Sequence, residues 1–375
     1  MIYLDNGATT LHKPPEVTQA VTRALSTCGN PGRGGHTASM QAAKVVYQCR
    51  EKAAKLFDCS EEQVTFTTSC THGLNIAIRS LVKPGDTVVV SGFEHNAVMR
   101  PLYALGAKIK VAGRQLFDPD DTLEKFEKAV KSGAKTAIFT HISNVFGYIL
   151  PVKEMAEICK KYAVPFIVDA AQSAGYVDIS LEKLGADFIA MPGHKGLLGP
   201  MGTGLLLCAG TPAPLLFGGT GSVSKSFEMP TEMPDILEAG TLNVPGIAGL
   251  CAGIDHIQNR GILGSFRREQ GEAKRCAEGL KALGFTVFSG ENQAGTVSFL
   301  PPGGCEECAD FLSQKGIAVR AGLHCAPLAH QSAGTLETGT VRLSFGHDVR
   351  PWQTDRFLRE IRVWKDKKIS KNYCY

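Results

Sequence analysis

The chain has 375 residues, 43% of them hydrophobic and 20% charged, with a formal net charge of +4. This is the composition of a folded protein long enough for one large and one smaller domain, and it excludes a disordered chain. No stretch nears the ~20 apolar residues that span a bilayer, and no Lys/Arg run is long enough to mark a nucleic-acid surface, so neither partner is expected.

The start, Met1-Ile2-Tyr3-Leu4-Asp5, lacks the basic-then-apolar layout of a secretory signal, so a cytoplasmic protein is expected. There the twelve cysteines, spaced without a disulfide framework, should be reduced and mostly buried. Val64-Thr65-Phe66 reads as a strand and the run 74–78 as a helix; Thr87 to Val90 and Ala137 to Thr140 read as buried strands. A helix over 152–162 leads into the strand Pro165 to Val168, which ends at Asp169. Phe188-Ile189-Ala190 and Gly204 to Leu207 complete the series. Such apolar runs alternating with helices predict an α/β fold with a mostly parallel sheet. The Gly/Pro/Thr-rich stretch 211–245 predicts loops and a hinge. Beyond it come a helix around Arg267, Arg268 and Lys274, and strands at 285–287 and 296–299, as in a smaller α+β domain. The division expected is a large domain over 12–245 and a small one over 1–11 and 246–375. The basic run Lys365-Asp366-Lys367-Lys368 reads as a solvated helix end.

Polar residues gather where the predicted strands end, which is where α/β sheets bind ligands. Thr67-Thr68-Ser69-Cys70-Thr71-His72 follows a strand and opens a helix. It is either an ordinary cap or a phosphate cradle built from backbone N–H groups and hydroxyls. His95 follows the next strand. Asp169 ends another, as a helix cap or as the partner of a buried cation. Lys195 lies in Pro192-Gly193-His194-Lys195, among glycines that permit close approach, and a deprotonated lysine can form a Schiff base with an aldehyde cofactor. Singly, each has an unremarked structural reading; the cradle, histidine, aspartate and lysine at successive strand ends suit one site.

Together with Tyr3 to Thr10, Arg33-Gly34-Gly35-His36-Thr37, His141-Ile142-Ser143-Asn144 and Glu238-Ala239-Gly240-Thr241, these motifs make the chain resemble the class V, fold-type I pyridoxal-phosphate enzymes. Within them it resembles the cysteine desulfurase and selenocysteine lyase group, from Tyr3 to about Arg342. The resemblance implies a pyridoxal 5'-phosphate held by Lys195 as a Schiff base. Asp169 would pair with the pyridinium nitrogen, and His95 would stack on the ring. Asn144 and Gln172 would contact the ring oxygen or substrate, and Cys70, Thr71 and His194 would hold the phosphate. Thr241 would reach the phosphate of a neighbouring subunit, implying a homodimer. Where the family often has serine, this chain has Pro192.

Cys325, in Val319-Arg320-Ala321-Gly322-Leu323-His324-Cys325, resembles the short active-cysteine loop of desulfurases that act with a separate sulfur-acceptor protein, in uses such as iron–sulfur cluster assembly. Leu323 stands where some relatives have a second histidine. A thiolate there would be favoured by cations such as Arg320 or a protonated His324. Arg342 fits the family's carboxylate-binding arginine, with Asn144 and Arg320 as further substrate contacts. L-cysteine is thus the implied substrate and a persulfide on Cys325 the implied product, with selenocysteine also possible. Two other readings stay open: a class V aminotransferase acting on a small amino acid, which has no need of Cys325, and a non-catalytic scaffold of a sulfur-transfer assembly. Cys305, Cys308, His324 and His330 formally match a zinc spacing, but ordinary helix and strand signals separate them, so no metal is expected. Cys374, near the chain end, is a further thiol without an assigned role.

Overall fold

The computed structural model describes residues 1–32 and 34–372, with side chains through residue 368; Arg33 and Cys374 lie outside the described residues. Strand β1 (Ile2–Tyr3) belongs to the smaller of two lobes. The larger is built on a seven-stranded sheet made of β2 (Val64–Thr67), β3 (Thr87–Ser91), β4 (Lys108–Ala112), β5 (Thr136–Thr140), β6 (Phe166–Asp169), β7 (Phe188–Pro192) and β8 (Gly204–Cys208). Their order across the sheet is β2-β8-β7-β6-β5-β3-β4. All pairings are parallel except those of β8, which runs against both β2 and β7.

The strand period of two sorts the apolar side chains into two layers. Val89, Ala137, Phe139, Phe166, Val168, Ile189 and Leu207 join one buried cluster. Their chain neighbours Val88, Val90, Ile138, Ile167, Phe188 and Leu206 join the cluster on the opposite face. Both faces are therefore covered, which explains why these strands read as unbroken apolar runs. Each fully buried Phe, Leu or Ile contributes roughly 1.5–3 kcal/mol of transfer free energy, so the alternation fixes the register firmly. β4 went unread because Lys108-Ile109-Lys110-Val111 is an edge strand, half exposed and carrying lysines.

In the smaller lobe β9 (Thr286–Phe288), β10 (Thr296–Leu300), β12 (Arg320–Gly322) and β13 (Thr340–Ser344) form an antiparallel sheet in the order β12-β13-β10-β9. β1 pairs in parallel with β11 (Ile317–Ala318), so Ile2 and Leu4 enter the small core with Val297, Phe299, Val341 and Leu343. The helix Val244–Arg260 packs instead on the helices Pro15–Thr27 and Thr37–Phe57. Its Ile247, Leu250 and Ile254 sit in the larger core, so the expected boundary at 245/246 falls inside this helix rather than between lobes.

The basic run near the C-terminus lies in the helix Pro351–Asn372, as expected of a helix end. It is not simply solvated. Lys365 donates to the Leu283 carbonyl, while Lys368 pairs with Glu307 and lies 4.5 Å over the Trp364 ring. Both side chains fasten the helix to the small lobe. None of the described helices is long and apolar enough to cross a membrane.

Candidate active site

The parallel strands β3, β5, β6 and β7 deliver their C-terminal ends to one edge of the sheet, and the polar residues that follow them converge there. Asp169, the last residue of β6, is 2% exposed. Its Oδ1 accepts from the Ala171 N–H at 2.8 Å and from the Cys70 thiol at 3.4 Å. Burial pushes the Cys70 thiol well up, and the Asp169 charge adds to it, so Cys70 stays a neutral donor.

Lys195 follows β7. Burial lowers its amine, opposed by Cys70 and Asp169 and reinforced by the positive charges of Arg342 and Arg320. The lysine reaches this place because the chain around it has almost no side-chain bulk. A Cβ on Gly196 would lie 2.2 Å from the Ala174 carbonyl oxygen, and Gly175, with φ +83°, crosses the same contact. His194 turns aside, its Nδ1 3.0 Å from the Thr9 hydroxyl. Burial, with Lys195 and Lys13 beside it, brings its pKa down to about 4, so it is neutral.

His95 follows β3 and caps the helix Asn96–Ala104, its Nδ1 accepting from the Ala97 N–H at 3.0 Å. That bond leaves the proton of the neutral ring on Nε2. Burial lowers its pKa, with Asp169 opposing and Lys195, Arg320 and Arg100 assisting. Ser69 caps the helix Cys70–Leu81, accepting from the His72 N–H at 3.2 Å. The first-turn N–H groups of Cys70 and Thr71 have no acceptor within that helix, and they face outward with the positive end of its dipole. Gln172 donates to the Gly7 carbonyl at 2.9 Å, tying the N-terminal segment to the site.

The Cys325 loop arrives from the small lobe. Among the described cysteines Cys325 alone is exposed. His324 and Cys325 both adopt left-handed backbone, with φ of +49° and +57°, a conformation that costs non-glycine residues on the order of 1 kcal/mol or more each. Two bonds from the large lobe hold it. Asn144 Nδ2 donates to the His324 carbonyl, and the Asn96 N–H donates to the Cys325 carbonyl, both at 2.8 Å. The His324 ring is 5% exposed, with Nε2 3.2 Å from the Thr340 hydroxyl. Burial, with Arg342, His330 and Arg320 nearby, brings its pKa down to about 2. This corrects the expectation of a protonated His324 beside the thiol: the ring is neutral, and Arg320 remains as the charged residue of the pair proposed to activate it.

Arg342, on β13 and 1% exposed, donates to the Asn144 carbonyl at 2.9 Å and pairs with Asp5 at 2.5 Å. Its Nε is buried without a partner. Arg320 lies directly across from it on β12. The side chains of Thr71 and Thr241 are exposed. Glu238, three residues before Thr241, forms a buried two-pronged pair with Arg50 at 3.0 and 2.8 Å, which anchors the segment to β2. Cys305 and Cys308 belong to the small core, where burial raises their thiols to about 11 and about 12. Among the described residues no group of three or more His, Cys, Asp or Glu could hold a metal.

Four contributors carried no assigned role in the sequence reading. Asp5 neutralises Arg342. Lys13 donates to the His194 carbonyl at 2.7 Å, its amine lowered to about 8 by burial. Asn96 holds the cysteine loop. Glu94 accepts from the Ser91 hydroxyl and from the Thr140 N–H at 2.8 Å, and burial raises it to about 8. Only Glu94 left a signal, as an acid beside the apolar Phe93 at a strand end.

A sheet with one antiparallel strand, a buried acid and a lowered lysine at adjacent strand ends, and a second lobe bringing a thiol to them define a class of enzyme. The family model described as aminotransferase class V matches residues 2–357, and the chain belongs to that family. It is 35% identical over 362 residues to a "Probable cysteine desulfurase" of Pyrococcus abyssi, covering 92% of this chain and 89% of that one. It is 30% identical to a cysteine desulfurase of Escherichia coli O157:H7, covering 87% of this chain and 84% of that one. The solved apo cysteine desulfurase of Thermococcus onnurineus NA1 superposes with a TM-score of 0.90 at 34% identity, over 98% of this chain and 95% of that one. The α/β, fold-type I architecture with a mostly parallel sheet stands as expected from the sequence.

Proposed function

We propose that the chain is a pyridoxal 5'-phosphate-dependent cysteine desulfurase, converting L-cysteine to L-alanine and leaving the sulfur as a persulfide on Cys325. The observation that carries this reading is the exposed thiol of Cys325, on a strained loop fastened by Asn96 and Asn144 to the strand ends that hold Asp169 and Lys195.

The residues fit the cofactor. Asp169 is buried with no ion-pair partner among the described residues, a costly arrangement that a pyridinium nitrogen would relieve. Lys195 has a lowered amine for Schiff-base attachment, and the outward N–H groups of Cys70 and Thr71 suit a phosphate, with the neutral His194 nearby. His95 would lie on the ring, while Asn144 and Gln172 would meet its oxygen or the substrate. When bound, the cofactor supplies the electron sink that makes the substrate α-proton removable. Lys195 Nζ takes that proton. Arg342, helped by Arg320, orients the substrate carboxylate through a guanidinium whose Nε is still free. The Cys325 sulfur attacks the substrate sulfur; the carbon–sulfur bond breaks, its electron pair returns to carbon with a proton, and alanine leaves.

Sulfur then passes by thiol exchange to a separate acceptor protein. Thr241, exposed on its anchored segment, is assigned to the phosphate of a second copy in a homodimer. The free, mostly buried cysteines fit a reducing cytoplasmic setting. The test is to incubate the purified protein briefly with cysteine, and separately with selenocysteine, and to measure alanine and the mass of each cysteine peptide. One added sulfur on Cys325, with almost no alanine from Cys325→Ala and cysteine, is the expected result. Added sulfur on Cys305 or Cys308, with Cys325→Ala still active, would overturn the reading.

A further inference from the structure

Away from the strand ends, the helix Thr37–Phe57 packs along the helix Val244–Arg260, and this seam carries four chemically active side chains. Cys49 and Lys52 lie one turn apart on the first helix, and Cys251 and Asp255 one turn apart on the second, so the two pairs face each other. Lys52 Nζ is 2.6 Å from the Asp255 carboxylate, a bridge across the seam, and its charge is felt at Cys251. Across the seam the thiols of Cys49 and Cys251 act on each other electrostatically. Cys49 is wholly buried. Cys251 is reached from outside, because it lines a surface cavity of about 280 Å³ together with Arg23, Cys28, Gln48 and Asp255.

This chemistry sets Cys251 apart from the other thiols off the active site. Burial drives Cys159 and Cys208 up to about 12. Cys251 is lowered instead, first by Cys49 and then, against the effect of burial, by the charge of Lys52. A thiol of lowered pKa, open to a cavity and with a second thiol and a cation beside it, is the arrangement of an oxidisable cysteine next to a resolving one.

We infer that Cys251 and Cys49 form a redox-active dithiol whose oxidant is a small hydroperoxide admitted through the cavity. The Cys251 thiolate attacks the peroxide O–O bond. One oxygen goes to sulfur, giving the sulfenic acid, and the other leaves as an alcohol, or as water from hydrogen peroxide, after taking a proton. The Cys49 sulfur then attacks the Cys251 sulfur, and the hydroxyl departs as water with the Cys49 proton. Two thiols lose two electrons, one peroxide gains them, and a disulfide joins the two helices. None of these residues belongs to the proposed desulfurase site, so this inference stands or falls apart from that reading.

The test is to treat the reduced, full-length protein with a small excess of hydrogen peroxide and to map its peptides without reductant. The expected product is a linked pair of peptides containing Cys49 and Cys251, lighter by two hydrogen atoms and separated by dithiothreitol. The link is lost in Cys251→Ser. In Cys49→Ala, which keeps a small apolar group in the seam, Cys251 is trapped by dimedone as the sulfenic acid. Lys52→Met slows formation of the link severalfold. Cys251 remaining unmodified while Cys325 is fully oxidised would overturn the inference, as would a link from Cys251 to Cys28 in place of Cys49.

Discussion

Glu94 and His95 are adjacent, yet only one of them could be given a role from the sequence. Burial raises the Glu94 carboxyl to about 8, although its bonds to Ser91 and Thr140 oppose the shift. It therefore holds its proton at neutral pH, and an uncharged Glu94 adds no second negative charge beside Asp169. In the unfolded chain the same carboxyl titrates near ~4.3. Its folded value is higher, so protonation favours the fold: the contribution is complete below about pH 4 and is lost as pH rises through about 8. Lys13, lowered to about 8, works the other way, gaining stability for the fold as pH rises above that value. The difference between wild type and Glu94→Gln cancels Lys13 and isolates Glu94. Denaturant midpoints from about pH 6 to about pH 9 should show wild type losing ground relative to Glu94→Gln up to about pH 8 and holding level above it; parallel curves throughout would contradict the assignment.

At the scale of elements, the central strands were legible because a strand buried on both faces can be little other than a run of Val, Ile, Phe and Leu. The helices Pro15–Thr27 and Thr37–Phe57 were not singled out, since their buried positions are mostly Ala, Cys and Ser rather than a strong apolar stripe. The strand ends of the candidate site could be ordered from sequence, whereas the cysteine loop's geometry could not: nothing in His324-Cys325 signals two consecutive left-handed residues. That geometry rests on tertiary bonds. Asn144→Ala removes one hydrogen bond, worth roughly 0.5–1.5 kcal/mol, and should let the loop relax. Amide exchange at 323–326 should then quicken severalfold while the strands stay protected. The Arg50–Glu238 pair also escaped the sequence, because its members are 188 residues apart. Both side chains are nearly buried, so Arg50→Met leaves Glu238 uncompensated and should cost roughly 3–5 kcal/mol in chemical denaturation.

At the scale of the whole molecule, the site draws on both cores. Arg342, Arg320 and Cys325 come from the lobe built on β1 and β9–β13, while Lys195, Asp169 and His95 come from the seven-stranded sheet. Asp5 is a third tie, since the N-terminal segment pairs β1 with β11, then reaches Arg342, and finally meets the His194 carbonyl through Thr10 and Lys13. The segment 238–241 does not share in this closure. Glu238 is fixed by Arg50, Gly240 donates to the Gly219 carbonyl at 2.8 Å, and Thr241 is left pointing to solvent within one chain. A rigid anchor that ends in an exposed hydroxyl suits a contact made across a dimer. If Thr241 completes the phosphate site of a second copy, Thr241→Val should leave the fold and Tm almost unchanged but weaken retention of pyridoxal phosphate. Losing one charge-assisted hydrogen bond, about 1.5–3 kcal/mol, corresponds to roughly a tenfold to hundredfold faster loss of the cofactor on dialysis. Sedimentation should show wild type as a dimer. A monomer that keeps its cofactor, or a Thr241→Val variant that retains it as tightly as wild type, would remove Thr241 from the site.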